Sequence, residues 1–328
     1  MVSRDPCRIP DLVGYGRPGG QKHLPEHGDT VRDLNYQLKQ LCRHNRDGGY
    51  ATQRNRERLL SLIADQLHAL GFRGMGAQSL KPKHVEALVN RWQEESLSVG
   101  TIKNRMTVLR WWAQKVNRQN VIARQNDHYG IPERAFVSTE SKARQVDGAS
   151  LDRVKDAHVR MSLELQQAFG LRREEAIKFQ PSYADRGDHL VLKDSWTKGG
   201  KAREIPVRTA AQRAALDRAH RLAGRGSLIP AERNYRQQLR VYERHTANAG
   251  LSKLHGLRHA YAHKRYEELT GFLPPCRYDS RDSYHAAAMK AAGQDWRERD
   301  ELARCTIREE LGHSPDRVDI DAQYLGKR

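Results

Sequence analysis

The sequence of 328 residues predicts two mainly α-helical domains, the second carrying a small antiparallel β-sheet. Three observations carry this expectation. The length accommodates two domains of about 100–200 residues each. Apolar residues recur at helical spacing through most of the chain after position 29. The one stretch with clear strand character, between positions 189 and 207, is short and holds a Gly199-Gly200 pair, a turn signal between extended runs.

In chain order, residues 1–28 hold Gly14, Gly16, Pro18, Gly19, Gly20 and Pro25 with little periodicity, and they read as a flexible arm. Residues 29–125 form a helical domain. Its first stripe is Val31, Leu34, Leu38 and Leu41 behind an Asp29/Thr30 cap, and its second is Leu59, Ile63, Leu67 and Leu70, stopped by Gly71. The third, Val85, Leu88, Val89 and Trp92, opens with Pro82, which the first helical turn tolerates. The fourth is Ile102, Met106, Leu109, Ala113 and Val116, with Lys103, Arg105, Arg110, Lys115 and Arg118 off the stripe as a candidate polyanion-facing set. Residues 126–146 are polar and aperiodic, a linker. The second domain, 147–328, begins with a helical region from Ser150 to about Gly170. Strands follow at His189–Leu192, Ser195–Lys198 and Arg203–Val207, then stripes through Leu216, Ala219 and Leu222 and through Tyr235, Leu239 and Tyr242. A helix starts near His255, residues 271–300 have the look of an insertion, and Leu302, Thr306, Ile307 and Leu311 form the last stripe.

Composition narrows the function classes. Lys and Arg number 58 against 40 Asp and Glu, a formal net charge of +18. Each cation placed on a phosphate releases condensed counterions, so this balance points to a nucleic acid partner. The charge is spread over many helices, which suits a protein that wraps a duplex better than one with an attached tail. Hydrophobic residues make up 38%, below the norm of about 45–50% yet enough for helical cores. No run approaches the roughly 18 apolar residues of a membrane span, and the N-terminus lacks a signal-peptide core. Cys7, Cys42, Cys276 and Cys305 form no paired framework, so reduced thiols and a cytoplasmic setting are expected.

Four segments of the second domain combine cations with a tyrosine near the last residue: Gly170-Leu171-Arg172-Arg173-Glu174-Glu175, Thr197-Lys198-Gly199-Gly200-Lys201-Ala202-Arg203-Glu204-Ile205-Pro206-Val207, Leu254-His255-Gly256-Leu257-Arg258-His259-Ala260-Tyr261-Ala262, and Leu311-Gly312-His313-Ser314 followed by Tyr324. Together they suit one chemical task, stabilising a phosphodiester as it passes through a pentavalent state. Charge then builds on the non-bridging oxygens, where guanidinium groups from two segments bracket the phosphate. A tyrosine hydroxyl, with a free pKa of about 10, needs cations or a base to become a nucleophile. Arg172 and Glu175, three apart, share a helical face, and the same spacing pairs His255 with Arg258. Arg173 points elsewhere, to solvent or a backbone phosphate. The acidic cluster Asp316, Asp319 and Asp321 lacks the distant partners of a metal-dependent nuclease, and Cys276, His285, Cys305 and His313 lack zinc spacing.

In these segments the sequence resembles the tyrosine recombinase family, the integrases of phages and mobile elements together with the chromosome-dimer resolvases. The resemblance covers 29–125 as a helical core-binding domain, generically, and 147–328 as a catalytic domain, specifically, and it implies that the two close as a C-shaped clamp around duplex DNA. It implies Arg172 and Arg258 as the arginine pair, Lys198 as general acid, His255 and His313 as phosphate-binding and proton-handling histidines, Tyr324 as nucleophile and Glu175 as a supporting acid. The implied reaction is site-specific recombination through a 3′-phosphotyrosyl intermediate, with no cofactor, metal or ATP. The implied partner is double-stranded DNA, bound by a tetramer on two sites from a free monomer or dimer, with an accessory DNA-bending or directionality factor. A type IB topoisomerase-like enzyme and a non-catalytic DNA-binding protein are the alternatives. Three features depart from the family pattern: 55 positions separate Arg258 from His313, the His313–Tyr324 gap is slightly long, and four residues follow Tyr324 where many relatives continue into a helix that docks on a neighbouring protomer.

Overall fold

The computed structural model describes residues 30–134, 140–197 and 199–328, and the chain divides into two compact units at Arg134/Ala135. The expected 1–28 arm, residues 135–139 of the linker and Lys198 lie outside the described residues.

In the first unit, four helices follow the four apolar stripes: α1 (Thr30–His44), α2 (Tyr50–Ala69), α3 (Pro82–Glu94) and α4 (Val99–Lys115). Leu34, Leu38, Leu60, Ile63, Leu67, Val85, Leu88, Met106 and Leu109 fill one core with Trp92 and Trp112. Both indoles satisfy their N–H inside it, Trp92 on Gln66 Oε1 (2.9 Å) and Trp112 on the Ala77 carbonyl (2.8 Å). Ile122 and Ile131 belong to the same core. The basic set on α4 is less free than its spacing suggests. Arg105 stacks over Trp92, Arg110 donates to the Ala123 carbonyl and Asn126, and Lys115 pairs with Asp47 at 2.9 Å.

The second unit is helical around one small sheet. The helical region expected from Ser150 to about Gly170 holds two helices, α5 (Gly148–Asp152) and α6 (Ala157–Phe169), the second capped by the Asp156 carboxylate, which accepts the Val159 N–H at 3.0 Å. Gly170 ends α6 with φ +62°, where a Cβ would lie 2.6 Å from the Tyr261 ring, so only glycine fits. Then come α7 (Arg173–Ile177), α8 (Pro181–Ala184), β1 (His189–Leu192), β2 (Arg203–Pro206), α9 (Ala210–Ala223), α10 (Tyr235–Asn248), α11 (Gly256–Thr270), α12 (Arg281–Ala292), α13 (Trp296–Glu310) and α14 (Val318–Leu325).

β1 and β2 pair antiparallel, with Leu190 opposite Ile205 and Leu192 opposite Arg203. The expected strand at Ser195–Lys198 is absent over its described residues. Asp194–Trp196 coil into a 3₁₀ turn, since Asp194 accepts the Ser195 N–H and Trp196 packs against Phe179 and Tyr183. Thr197 closes the connection by donating to the Lys201 carbonyl at 2.7 Å.

α11 runs through the core, packed on α6, α13 and α14. The insertion-like segment is part of that core: Tyr284, Ala288 and Trp296 are buried in it, and Tyr284 and Tyr266 both donate to the buried Asp300 carboxylate.

Candidate active site

Arg172 does not stand on a helical turn beside Glu175 as its spacing suggests. It is the N-cap of α7, in extended conformation (φ −68°, ψ 153°), with Glu175 at the third helical position. That placement brings both ends of Arg172 to one carboxylate. Glu175 Oε2 accepts the Arg172 backbone N–H at 2.7 Å, and Oε1 accepts the guanidinium Nη1 at 2.8 Å. Glu175 is fully buried, whereas the Arg172 side chain is 19% exposed and so keeps a face toward solvent. Arg173 goes elsewhere, to Glu243 on α10 at 3.0 Å.

Arg258, on the first turn of α11, is 1% exposed. Three of its five donors have protein acceptors: Nη1 to the Gly170 carbonyl (2.6 Å), Nη2 to the Leu311 carbonyl, and Nε to the Tyr324 hydroxyl (3.1 Å). One guanidinium therefore fastens together the segments that carry Arg172, His313 and Tyr324. Burial, opposed by the Tyr324 oxygen and reinforced by Arg172 and Arg203, lowers its pKa to about 10, so it stays charged at neutral pH.

Tyr324 sits near the end of α14, 7% exposed. Its hydroxyl also meets His255 Nε2 at 3.4 Å, and its carbonyl accepts from His263 Nε2 at 2.8 Å. The rings of His259 and His313 lie 4.6 and 5.9 Å from its ring, centroid to centroid. α14 is anchored by Arg308, whose Nε and Nη2 reach the Asp321 carboxylate at 3.0 and 2.5 Å. Beyond Tyr324, the Gly326 carbonyl accepts from Arg304, and Arg328 pairs with Asp300 and Glu301. Asp321 and Asp319 are thus spent on Arg308 and Arg317.

The structure brings Arg172, Glu175, His255, Arg258, His313 and Tyr324 to one place; Lys198 is outside the described residues. Two residues there escape the sequence reading. Arg203, on the inward face of β2, clasps Glu175 with both Nη groups at 2.7 Å. The signal was its two-residue spacing from buried Ile205, since a cation facing inward requires a buried acid. His259 lies beneath the Tyr324 ring, four residues and so one turn after His255.

Burial and the cations together set the charge state of the other groups here. Burial alone would raise the Glu175 carboxyl, but the hydrogen bonds and charge of Arg203, with Arg258 and Arg172, hold it at about 2. Burial, then the positive charge of Arg258, Arg172 and Arg203, pushes His313 down to about 3. Burial also pushes His259 to about 3, and burial with Arg258 and Arg172 lowers His255. The imidazoles are therefore neutral at pH 7. His313 Nε2 is buried with no hydrogen-bond partner.

These shifts make stability pH-dependent, all in one direction. The unfolded chain takes up protons at His259 and His313 below about pH 6.5 while the folded chain does not, so stability falls as pH drops from there toward 3. Glu175 adds stability above about pH 4.5 that is lost as pH falls toward 2. Between pH 6.5 and 5, His259 alone accounts for about 2 kcal/mol. Urea midpoints of the wild type should drop over that interval and those of His259→Gln should drop less; equal, flat midpoints would contradict these charge states.

The family model for the phage integrase N-terminal domain matches residues 31–122, and the integrase model matches residues 134–264. No curated protein matches the chain. Among solved structures, a lambda integrase dimer bound to a COC′ core site is similar over 88% of this chain and 77% of its own, at 15% identity and TM-score 0.56. The Tn1549 transposon integrase with circular intermediate DNA is similar over 92% and 96%, at 16% identity and TM-score 0.52. The XerH site-specific recombinase on palindromic difH is similar over 88% and 80%, at 16% identity and TM-score 0.51. With two integrase models matched in chain order and the recombinase fold shared, the chain belongs to the tyrosine recombinase family, in its phage-type integrase group, and is a site-specific recombinase.

Proposed function

We propose that Tyr324 attacks a phosphodiester of duplex DNA and forms a 3′-phosphotyrosyl link, and that exchange of two such cleaved sites is this enzyme's reaction. The observation that carries the reading is the Tyr324 hydroxyl lying between the charged Arg258 Nε and the neutral His255 Nε2, at 3.1 and 3.4 Å. His255 takes the phenolic proton and Arg258 stabilises the oxygen as it becomes anionic. The exposed face of Arg172 and the orphan Nε2 of His313 meet the non-bridging oxygens. Lys198 protonates the departing 5′-oxygen, leaving a free 5′-hydroxyl. The 5′-hydroxyl of a partner site then attacks the phosphotyrosine and gives its proton to the neutral Lys198, His255 returns the proton to Tyr324, and one ester has replaced another. ATP is unnecessary because bond energy is conserved at each step, and side-chain cations take the place of a metal.

Exchange of two duplexes needs four such sites, hence a tetramer on DNA assembled from monomers or dimers, with an accessory bending or directionality factor. A lambda integrase tetramer bound to a Holliday junction is among the similar structures. Among the described residues no helix is long and apolar enough to cross a membrane. A mobile-element integrase working at the bacterial nucleoid fits the charge of +18. Core-binding domain, linker and catalytic domain at 29–125, 126–146 and 147–328 complete the reading.

The test is a two-site exchange assay in excess EDTA. Recombinant junctions are expected. Relaxation of supercoils without exchange favours the topoisomerase reading, and binding without any adduct favours the non-catalytic one. Binding itself should weaken about 10³–10⁵-fold between 50 and 200 mM salt if 6–10 phosphates are contacted; a flat response would argue against duplex engagement on this scale.

A further inference from the structure

Glu175 is the least accessible acid of the site, and one carboxylate serves two arginines. Its Oε1 accepts from Arg172 Nη1 (2.8 Å) and Arg203 Nη1 (2.7 Å), its Oε2 from the Arg172 backbone N–H and Arg203 Nη2 (both 2.7 Å). Arg203 itself is 9% exposed, and its Nε donates to the Glu310 carbonyl at the end of α13 (3.0 Å). Its aliphatic stem lies on Gly312, where a Cβ would come within 2.7 Å of Arg203 Cδ at a backbone φ of +65°. The next residue is His313. One side chain therefore spans three segments: the Arg172 cap, the strand that begins five residues after Lys198, and the turn before α14.

We infer that Arg203 is a positioning residue for strand cleavage, acting through the shared Glu175 carboxylate to hold the Arg172 guanidinium in the single orientation that meets the scissile phosphate. The inference rests on the function proposed above. A buried ion pair is commonly no more stabilising than well-packed apolar side chains of similar size, so stability alone is a weak reason for this arrangement. Orientation is a stronger one. Arg172 is part exposed on a flexible stem, and its fixed points are the Glu175 oxygens; a catalytic group about 1 Å out of place loses about 10²-fold in rate. Glu175 in turn keeps its charge because Arg203 from β2, Arg258 from α11 and Arg172 at its own helix start all face it, with His313 the further titratable group nearby. Remove Arg203, and burial drives Glu175 to take a proton. A neutral acid then grips Arg172 with one acceptor fewer.

The experiment compares Arg203→Met, Arg203→Lys, Glu175→Gln and the Arg203→Met/Glu175→Gln double variant with the wild type. Met preserves the stem on Gly312, and Lys preserves the charge without the two-pronged grip. Single-turnover cleavage of a nicked suicide duplex is measured at saturating DNA from pH 5 to 8, beside DNA affinity and thermal melting. For Arg203→Met we expect cleavage about 10²-fold slower at pH 7, affinity within about twofold of wild type, and an acid limb displaced toward neutrality. In the Glu175→Gln background that displacement disappears, leaving the limb set by His255, and Arg203→Met adds less than about threefold, because the two act as a unit. Arg203→Lys should fall between wild type and Met, and it carries the pH measurement should the Met variant not fold.

Wild-type cleavage rates in Arg203→Met would overturn the inference. So would losses that multiply independently with Glu175→Gln, or slow cleavage with an unchanged pH profile. A wild-type enzyme that forms no adduct would sink the proposed function and this inference together, whereas a cleaving wild type with an indifferent Arg203 sinks the inference alone.

Discussion

Tyr324→Phe is expected to bind DNA as tightly as the wild type and to form no covalent adduct, a loss of more than about 10³-fold in cleavage. The substitution removes one oxygen and leaves its surroundings in place. Arg258 keeps the Gly170 and Leu311 carbonyls, His263 keeps the Tyr324 backbone carbonyl, and the ring stays against His259. The fold should lose only about 1–3 kcal/mol from leaving the buried Arg258 Nε without its acceptor, so a folded, DNA-binding variant separates lost chemistry from lost fold. An adduct surviving in the Phe variant would place the nucleophile elsewhere, yet the nearest alternatives are poorly disposed. Tyr261 donates to Glu310, and Tyr266 and Tyr284 donate to Asp300; burial first, then these acids, push all three hydroxyls upward. Tyr278, packed against Tyr284, is the remaining one.

The second large effect separates two adjacent arginines. Arg172→Ala should slow single-turnover cleavage about 10²–10³-fold at saturating DNA, the scale of one preorganised donor to a developing oxyanion. Arg173→Ala should leave that rate within a fewfold and weaken binding modestly, since Arg173 spends itself on the exposed Glu243 pair at 3.0 Å. Arg172 is distinguished by its anchor, a fully buried carboxylate held at about 2. The reverse pattern, with Arg173 essential, would detach Glu175 from the chemistry.

The sequence made the helices legible wherever one face is apolar over several turns, as in α1–α4, because burial of a stripe leaves a 3.6-residue record. Short-range side-chain chemistry overrode pattern elsewhere. The Asp156 cap divides the expected helical region into two helices, and the Asp194 turn with Trp196 replaces the described part of one expected strand. The site residues were legible as linear segments, since Arg172, His255, Arg258 and His313 each lie in a short run of distinctive composition. What no segment could disclose was the coupling between runs. Arg258 reaching back 88 positions to Gly170, and Arg203 reaching 28 to Glu175, are tertiary facts. The α4 cations carry contacts that their spacing does not disclose: Arg105, Arg110 and Lys115 each have a partner within their own unit.

The most direct test of the central claim is to trap the wild-type enzyme on a nicked suicide duplex in excess EDTA, digest the adduct, and map the DNA-bearing peptide by mass. The account predicts a peptide containing Tyr324 joined to the 3′-phosphate of the cleaved strand, with a free 5′-hydroxyl on the other side of the break. A 5′-linkage, a different tyrosine, or cleavage that appears only when a divalent ion is restored would contradict it.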